Sequence, residues 1–190
     1  MDAEVMQWRK AERRRLVKER LAMNSEVCTR HSDQIAAGLE EIVGKVRGVI
    51  VSAYWPFRGE PDLRGFMAGV SDRGGQCALP VVIERGKPLV FRAWSPGEPL
   101  AKGVWNIPVP ATPQEVVPSI VIVPVVGFDR ACYRLGYGGG FFDRTLAMMK
   151  YSPLKLGVGY GQQALLTIHP QPNDIPMDMV ITEEGACLPQ

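Results

Sequence analysis

The residues best suited to chemistry form one glycine-rich stretch, "RLGYGGGFFDR", at positions 134–144. Four of these residues are glycines, and basic side chains stand at both ends as Arg134 and Arg144. A loop of this kind exposes backbone N–H groups that can bind an anion, and a helix that follows it adds the positive end of its dipole. The stretch therefore favours a phosphate site, with a tight turn at a close strand–helix contact as the structural alternative.

The loop matches neither of two common nucleotide-binding fingerprints. A P-loop requires Gly-Lys-Ser or Gly-Lys-Thr after its second glycine, and this stretch has neither. A dinucleotide-binding fingerprint requires a third glycine at the position of Phe141. A thiol enzyme built on Cys132 with one of the two histidines, His31 or His169, remains a further alternative on sequence grounds.

Composition restricts the protein to a small set of classes. Its 190 residues are 46% hydrophobic and 22% charged, which suits a single domain over residues 1–190. A net charge of +2 does not indicate a nucleic-acid binder. The longest apolar run, at 120–128, is too short to span a membrane, the first twenty residues lack the apolar core of a signal peptide, and the four cysteines form no CxxC pair. We expect a reduced, cytoplasmic monomer that acts on small molecules.

Hydrophobic patterning predicts an alternation of helices and buried strands. The expected helices cover residues 2–22, 25–43, 61–72 and 141–149. The expected strands cover residues 48–55, 77–82, 88–94, 119–126, 155–160 and 177–184. The proline-rich segments 96–118 and 170–176 are expected to be loops. This order favours an α/β fold with a mostly parallel sheet covered on both faces.

Segments along nearly the whole chain resemble the 5-formyltetrahydrofolate cyclo-ligase family, whose members are also called 5,10-methenyltetrahydrofolate synthetases. The most specific match is "VPVVGFDRACYRLGYGGGFFDRTL" at 123–146. Others are "WRKAERRR" ahead of "RLAMNSE", then "YWPFRGEPDL", "LGVGYGQQAL" and "HPQPNDIPMDMVITE". The resemblance implies a three-layer α/β/α sandwich. It also implies an ATP-dependent reaction, in which the formyl oxygen on N5 of the folate is phosphorylated, N10 attacks the activated carbon, and 5,10-methenyltetrahydrofolate, ADP and phosphate are released.

The resemblance assigns ATP binding to the basic first helix and to the glycine loop. In the helix it points to Lys10 and Arg14, which lie one turn apart, with Arg9 and Arg13 as rivals if the alignment is displaced by one residue. A solvated basic face is the structural alternative. In the loop the nucleotide contacts fall on Arg134, Leu135, Gly136, Tyr137, Gly138, Gly139, Gly140, Phe141 and Phe142. Among these, the resemblance makes Arg134, Tyr137 and Phe141 the candidates for catalysis.

Folate contacts also carry over from the family pattern. They fall on Trp55, Glu60, Tyr137, Gly138, Gly139, Gly140 and Phe141. A carboxylate such as that of Glu60 can accept paired N–H groups from a pterin ring. Trp55 is equally compatible with an ordinary aromatic residue at the end of a strand.

Asp143 and Asp174 match the family's Mg²⁺ positions. Mg²⁺ prefers carboxylate and phosphate oxygens, so the resemblance implies Mg²⁺ as the cofactor, with ATP as co-substrate. Simple compensation of the helix dipole is the alternative for Asp143. Asp178 is a neighbouring acid that can be confused with Asp174.

The aromatic pair at 141–142 departs from the family pattern. Relatives commonly have two tyrosines where this chain has Phe141 and Phe142. Two hydroxyl donors are therefore absent, so either the rings act by packing or Tyr137, Arg134 or Arg144 donates in their place.

Two other functions remain open on sequence grounds. One is a divergent enzyme that acts on another formamide, and the other is a non-catalytic relative that binds folate or nucleotide. The presence of Glu60, Asp143 and Asp174 favours an enzyme, because a binding protein does not need the Mg²⁺ carboxylates.

Overall fold

The computed structural model describes residues 2–190, and an eight-stranded sheet forms its centre. The helices are α1 (Ala3–Leu21), α2 (Ser25–Val43), α3 (Arg64–Asp72) and α4 (Phe141–Met148). The strands are β1 (Ile50–Ser52), β2 (Gln76–Val81), β3 (Val90–Ala93), β4 (Leu100–Lys102), β5 (Pro108–Pro110), β6 (Glu115–Val116), β7 (Ile120–Pro124), β8 (Gly127–Phe128), β9 (Arg134–Leu135), β10 (Leu154–Val158), β11 (Met179–Thr182) and β12 (Gly185–Cys187). The order in the large sheet is β12-β11-β10-β7-β1-β2-β3-β6.

The middle of this sheet is parallel and its edges are antiparallel. Val51 of β1 pairs with Cys77 of β2 on one side and with Ile120 of β7 on the other, all in parallel. Strands β7, β10 and β11 continue the parallel order. Strands β3, β6 and β12 add antiparallel pairs at the two ends. The predicted mostly parallel sheet is confirmed.

Helices cover both faces of the sheet, because the buried side chains of the strands alternate between two cores. Ile120 and Ile122 of β7 belong to one core with residues of α2 and α3. Val121 and Val123 belong to the other core with Leu146 of α4. Such alternation is what a strand buried on both faces requires. The predicted three-layer α/β/α arrangement is therefore confirmed.

The proline-rich segment 96–118 is not the simple loop predicted from its composition. It contains the two-stranded sheet β4–β5, a 3-10 turn at Val104–Asn106 and the edge strand β6. Proline is tolerated in β5 because a strand at an edge does not need every N–H group for pairing. The turn places Trp105 and Asn106 at φ values of 55° and 61°, in the left-handed region. Such backbone is uncommon for bulky residues and marks positions held by their surroundings.

The carboxyl ends of the parallel strands lie along one edge of the sheet, and the segments that follow these strands meet there. The segment 53–63 follows β1, the β8–β9 hairpin and the glycine loop follow β7, and a 3-10 turn at Gly161–Gln163 follows β10. Helix α1 lies across this edge, with Leu16 in a core cluster that also contains Val126 and Leu135. Ligands of open α/β sheets bind at this kind of edge. Within residues 2–190, none of the helices combines the length and the apolar character that a membrane crossing requires.

Candidate active site

The glycine loop connects β9 to α4 and leaves the start of that helix open. Gly138 and Gly140 have φ values of 92° and 64°, which side chains rarely allow. Gly140 is the N-cap of α4, and no side chain among residues 2–190 caps the helix by a hydrogen bond. The first N–H groups of α4 therefore lack a capping side chain, and an anion can bind them.

Helix α1 presents Arg9 and Arg13 to this loop. Arg13 Nε donates to the carbonyl oxygen of Gly136 over 2.7 Å. Arg9 is buried, and its Nη1 lies 2.8 Å from Asp174 Oδ2. Lys10 and Arg14, the first choice from the sequence, are exposed one position further around the helix. The structure thus places Arg9 and Arg13, and not Lys10 and Arg14, on the side of α1 that faces the site, because helical geometry carries only one of these two pairs there. Which pair binds ATP stays a prediction.

Two arginine–aspartate pairs stand side by side at the start of α4. Arg134 Nη2 donates to Asp143 Oδ1 over 2.9 Å, and Arg134 Nη1 donates to the carbonyl oxygen of Ile175 over 2.8 Å. The Ile175 N–H in turn donates to Asp143 Oδ1 over 3.1 Å. Because Ile175 follows Asp174 in the chain, these bonds bring the two predicted metal carboxylates to one place. Asp178 lies elsewhere, where its carboxylate pairs with Lys155 over 2.9 Å.

The cluster carries more positive charge than the two carboxylates compensate. Burial and the nearby charge of Arg9 lower the pKa of Arg13, with Asp174 acting in the opposite direction. Burial also lowers the pKa of Arg134, although Asp143 raises it. Among the residues that the structure describes, Arg9 Nε and Arg144 Nε are buried without a hydrogen-bond partner. An anionic ligand would supply acceptors for these donors and relieve the repulsion among the guanidinium groups.

A second chain of polar groups starts at Tyr137 in the same loop. The Tyr137 hydroxyl donates to Glu60 Oε1 over 2.6 Å and accepts from Arg20 Nη2 over 2.5 Å. Glu60 Oε2 accepts from the Phe57 N–H over 2.9 Å. Burial raises the pKa of Glu60 to about 7, although the Tyr137 hydrogen bond, the charge of Arg20 and the Phe57 N–H all lower it. Glu60 therefore changes its ionisation near neutral pH.

An aromatic pair lies at the end of the glycine loop, where Phe141 begins α4. The rings of Phe141 and Trp105 pack edge to face, with centroids 5.8 Å apart. Arg144 Cζ lies 5.3 Å from the centroid of Phe141, and Arg144 Nη2 donates to the carbonyl oxygen of Gly139. Both rings line a cavity of about 180 Å³ together with Ile83 and Val104. This cavity offers an apolar surface directly beside the cluster of arginines and aspartates at the start of α4.

Comparisons with known proteins identify the family of this chain. The model of the family described as 5-formyltetrahydrofolate cyclo-ligase matches residues 5–183. The chain belongs to the 5-formyltetrahydrofolate cyclo-ligase family. It is 30% identical to the 5-formyltetrahydrofolate cyclo-ligase of Mycolicibacterium smegmatis, over 73% of this chain and 75% of that protein. It is also 30% identical to the cyclo-ligase of Escherichia coli K12, over 70% of this chain and 76% of the relative.

Solved structures show the same fold. The NMR structure of the Aquifex aeolicus 5,10-methenyltetrahydrofolate synthetase has a TM-score of 0.79 and 28% identity, and covers 95% of this chain and 92% of its own. The 5,10-methenyltetrahydrofolate synthetase of Mycoplasma pneumoniae has a TM-score of 0.76 at 19% identity, over 92% of this chain and 98% of its own. The predicted family and the prediction of a cyclo-ligase enzyme are therefore confirmed.

Three predicted contact residues of this cyclo-ligase family member pack against other parts of the protein. The side chain of Leu135 is fully buried in the cluster under α1, and the ring of Phe142 packs against the core beneath α4. Trp55 packs edge to face on Trp94, with centroids 5.7 Å apart, and touches the core on the α2 side. The structure therefore shows a packing role for these three side chains, and their ligand contacts stay predictions.

Two residues of this site were not predicted from the sequence to belong to it. Trp105 lies in a segment expected to be loop, and Arg20 was not among the residues of the basic first helix that were assigned to a ligand. The spacing of Arg9, Arg13, Leu16 and Arg20 follows one side of a helix, and this was the available signal for Arg20. The contact of Trp105 with Phe141 depends on the left-handed turn, which the sequence does not reveal.

A further cavity lies on the other side of Glu60, between α2 and α3. Its volume is about 470 Å³, and Glu60, Ser32 and Tyr160 are among the residues that line it. It contains none of the residues of the glycine loop, so the anion-binding donors and the two carboxylates are not in it. The donors suited to an anion therefore lie at the loop and not in this cavity.

The alternative of a thiol enzyme has no support from the geometry. Cys132 is fully buried, and its thiol donates to the carbonyl oxygen of Cys187. Burial raises the pKa of the Cys132 thiol, which disfavours the reactive thiolate. His31 lies 3.4 Å from Glu183, and His169 packs edge to face on Trp8. Each histidine thus has a partner other than Cys132.

Proposed function

We propose that this protein converts 5-formyltetrahydrofolate to 5,10-methenyltetrahydrofolate, with ATP consumed and with ADP and phosphate released, in the presence of Mg²⁺. The observation that carries the proposal is that the loop 136–141 contacts two separate groups of polar residues. On one side it meets a cluster of arginines and two carboxylates, and on the other it meets Glu60 through Tyr137. A reaction that joins a phosphoryl group to a formyl oxygen needs both substrates at one place.

The groups around the loop suit the phosphates of ATP. The uncapped N-terminus of α4 supplies N–H donors and a favourable dipole. Arg9 and Arg13 supply positive charge from α1, and Arg134 supplies it from β9. The unpartnered Arg9 Nε and Arg144 Nε are further donors for phosphate oxygens. We assign the phosphates to this cluster.

The same cluster fits Mg²⁺, for which Asp143 and Asp174 are the candidate ligands. Asp143 Oδ1 accepts two hydrogen bonds, whereas Arg9 and the Gln171 N–H bond to Asp174. Two carboxylates next to phosphate-binding groups match the habit of Mg²⁺ of binding one or two carboxylates plus substrate phosphates. When bound, Mg²⁺ would neutralise phosphate charge and orient the phosphoryl group for transfer.

The folate has its candidate contacts at Glu60 and at the aromatic pair. The carboxylate of Glu60 retains lone pairs for pterin N–H groups beyond its bonds to Tyr137 and Phe57. Phe141 and Trp105 offer an apolar surface beside the phosphates. In the proposed reaction the formyl oxygen bonds to the γ-phosphorus and ADP leaves. N10 then bonds to the formyl carbon and loses its proton, and phosphate departs with the former formyl oxygen.

A coupled assay tests the proposal directly. The protein is mixed with ATP, Mg²⁺ and 5-formyltetrahydrofolate, and the methenyl chromophore and ADP are measured together. We expect equal amounts of both products, and no chromophore beyond background when ATP is omitted. Tight folate or nucleotide binding without either product would instead identify a non-catalytic relative.

The register of the basic helix gives a second test. Arg13→Ala should raise the KM for ATP about 10-fold or more, because a charged hydrogen bond is worth about 1.5–3 kcal/mol. Lys10→Ala is the matched control, one turn from Arg14 on the exposed side, and should change the KM for ATP less than about 3-fold. Steady-state kinetics with ATP and folate varied separately decides between them. A larger effect at Lys10 than at Arg13 would restore the original alignment.

Glu60 predicts a pH dependence of folate binding. Because its pKa in the folded protein is about 7, the carboxylate is fully present only above that pH and is lost as the pH falls through 7. We expect folate affinity to rise between pH 6 and pH 8, and to be about 10-fold lower in Glu60→Gln at pH 8. Calorimetric titration over this range measures the change, with ATP as the comparison ligand. A pH dependence that survives in Glu60→Gln would exclude Glu60 as its origin.

A further inference from the structure

Arg20 ties three segments of the site together from inside the protein. It is only 1% exposed and lies in the last turn of α1. Its Nε donates to the carbonyl oxygen of Arg58 over 2.9 Å, and its Nη1 donates to that of Val125 over 3.3 Å. Its Nη2 donates to the Tyr137 hydroxyl over 2.5 Å. One guanidinium thus joins the segment after β1, the end of β7 and the glycine loop.

The charge of Arg20 has no direct carboxylate partner. None of the ion pairs found within residues 2–190 includes it. The Tyr137 hydroxyl instead connects it to Glu60, as it accepts from Arg20 and donates to Glu60 Oε1 over 2.6 Å. A buried charge is costly unless an opposite charge or hydrogen bonds compensate it. Arg20 and Glu60 are therefore the two ends of one ion pair that a phenol bridges.

We propose that Arg20 is a positioning residue, which keeps Glu60 ionised and holds Tyr137 in place for the folate. The inference rests on the proposed function, because Glu60 and Tyr137 are the groups assigned to folate binding. Arg20 acts through them and not on the substrate. Its planar fork of donors suits this task, because it can bond to three acceptors at once in fixed directions.

The surroundings of Glu60 make Arg20 the decisive cation. The titratable groups that face it or share its cavity are Tyr54, Tyr137, Tyr160, Arg20, Cys28, Asp33, Glu40 and Asp62. Of the acids in this set, Asp62 pairs with Arg64 and Glu40 pairs with Arg73. Arg58 lies over the Tyr137 ring but is exposed, so solvent screens its charge. Arg20 is the cation that lowers the pKa of Glu60 against the effect of burial.

Loss of Arg20 should therefore shift the titration of Glu60 upward. We expect Arg20→Met to raise the midpoint by about one pH unit or more, as expected for removal of an opposite charge close by. At pH 7.5 the ionised fraction of Glu60 should then fall from about three quarters to about one quarter, so folate affinity should fall about threefold while ATP affinity stays unchanged. Tyr137→Phe keeps the charge but removes the bridge, and should shift the midpoint in the same direction. Arg20→Lys restores the charge without the fork, and should recover part of the shift.

Infrared spectroscopy of the ligand-free protein measures the midpoint directly. The carbonyl band of protonated Glu60, assigned by its loss in Glu60→Gln, is followed from pH 5 to pH 9. Arg15→Met is the matched control, because Arg15 lies on the same helix and pairs with Glu12 and Glu19 at the surface. If Arg20→Met does not fold, Arg20→Lys and Tyr137→Phe still test the bridge. Calorimetry with 5-formyltetrahydrofolate and with ATP completes the comparison.

The outcomes separate this inference from the proposed function. A raised pH midpoint of the carbonyl band in Arg20→Met and Tyr137→Phe, with the parent midpoint in Arg15→Met, supports the role of Arg20. This holds even if the parent protein binds no folate, a result that would overturn only the proposed function. An unchanged pH midpoint of the carbonyl band in folded variants overturns the inference, whether or not the parent protein is an active cyclo-ligase. Equal losses of folate and ATP affinity, with an unchanged pH midpoint of the band, would show that Arg20 only supports the fold.

Discussion

Asp143→Asn should lower kcat by about 100-fold or more, because removal of a metal ligand misplaces the transferred phosphoryl group. The amide keeps one oxygen acceptor for Arg134 or for the Ile175 N–H but loses the charge that a hard cation requires. Excess Mg²⁺ should recover only part of the activity. The assay is the release of ADP and of the methenyl product over a range of Mg²⁺ concentrations.

The same substitution should also destabilise the protein, and this must be separated from catalysis. The Arg134 side chain is 4% exposed and pairs with Asp143, so its charge is left uncompensated in the variant. A broken buried pair costs about 3 kcal/mol or more. Denaturant unfolding measures this cost, and the kinetics are then read where the variant is folded. Asp178→Asn is the control, since it breaks the ion pair with Lys155 outside the loop and should leave kcat unchanged. Near-normal turnover of Asp143→Asn at saturating Mg²⁺ would overturn the metal assignment.

The layers of the fold are readable from the sequence because buried strands carry a direct signal. The run at 119–126 has no charged residue, and it forms β7, which lies between two other parallel strands. Its alternate side chains enter two cores, so every position must be apolar. The short edge strands carry no such signal, because pairing at an edge needs little apolar surface. This is why β4, β5 and β6 were hidden in a proline-rich segment.

Helix α1 shows where hydrophobic patterning fails for a physical reason. Its inner face carries Arg9, Arg13, Leu16 and Arg20, so a helix that packs against the site has almost no apolar stripe. The sequence shows a basic helix but not which of its basic residues turn inward. Partners decide this, namely Asp174 for Arg9, the Gly136 carbonyl for Arg13 and Tyr137 for Arg20. All three partners are more than one hundred residues away along the chain, so local patterning cannot reveal them.

The glycine loop was recognised because its backbone requirements are local, whereas its aromatic partner was not. Gly138 and Gly140 adopt left-handed conformations that depend on the absence of a side chain. Trp105 reaches Phe141 only because the turn at Val104–Asn106 directs it there. This contact gives Phe141 a role that the missing tyrosine hydroxyl does not affect.

Phe141→Ala should lower kcat/KM for the folate by one to two orders of magnitude. The substitution removes the ring that packs on Trp105 and beneath Arg144, which are two contacts of about 0.5–1.5 kcal/mol each, and it loosens the loop that binds both substrates. Phe141→Tyr keeps the ring, and should retain or raise kcat. Trp105→Ala should show a similar loss, and the double variant should lose less than the sum, because the two rings act as a pair.

Phe142→Ala provides the matched control for this prediction. The ring of Phe142 packs against the core beneath α4, so its loss should reduce the free energy of unfolding more than it reduces kcat/KM. Parallel measurement of unfolding and of steady-state kinetics for both alanine variants separates packing from catalysis. If Phe141→Ala matched the parent in kcat/KM, the aromatic pair would not border the reacting centre. The loop would then bind phosphate alone, and the folate would have to be held by Glu60 and the segment after β1.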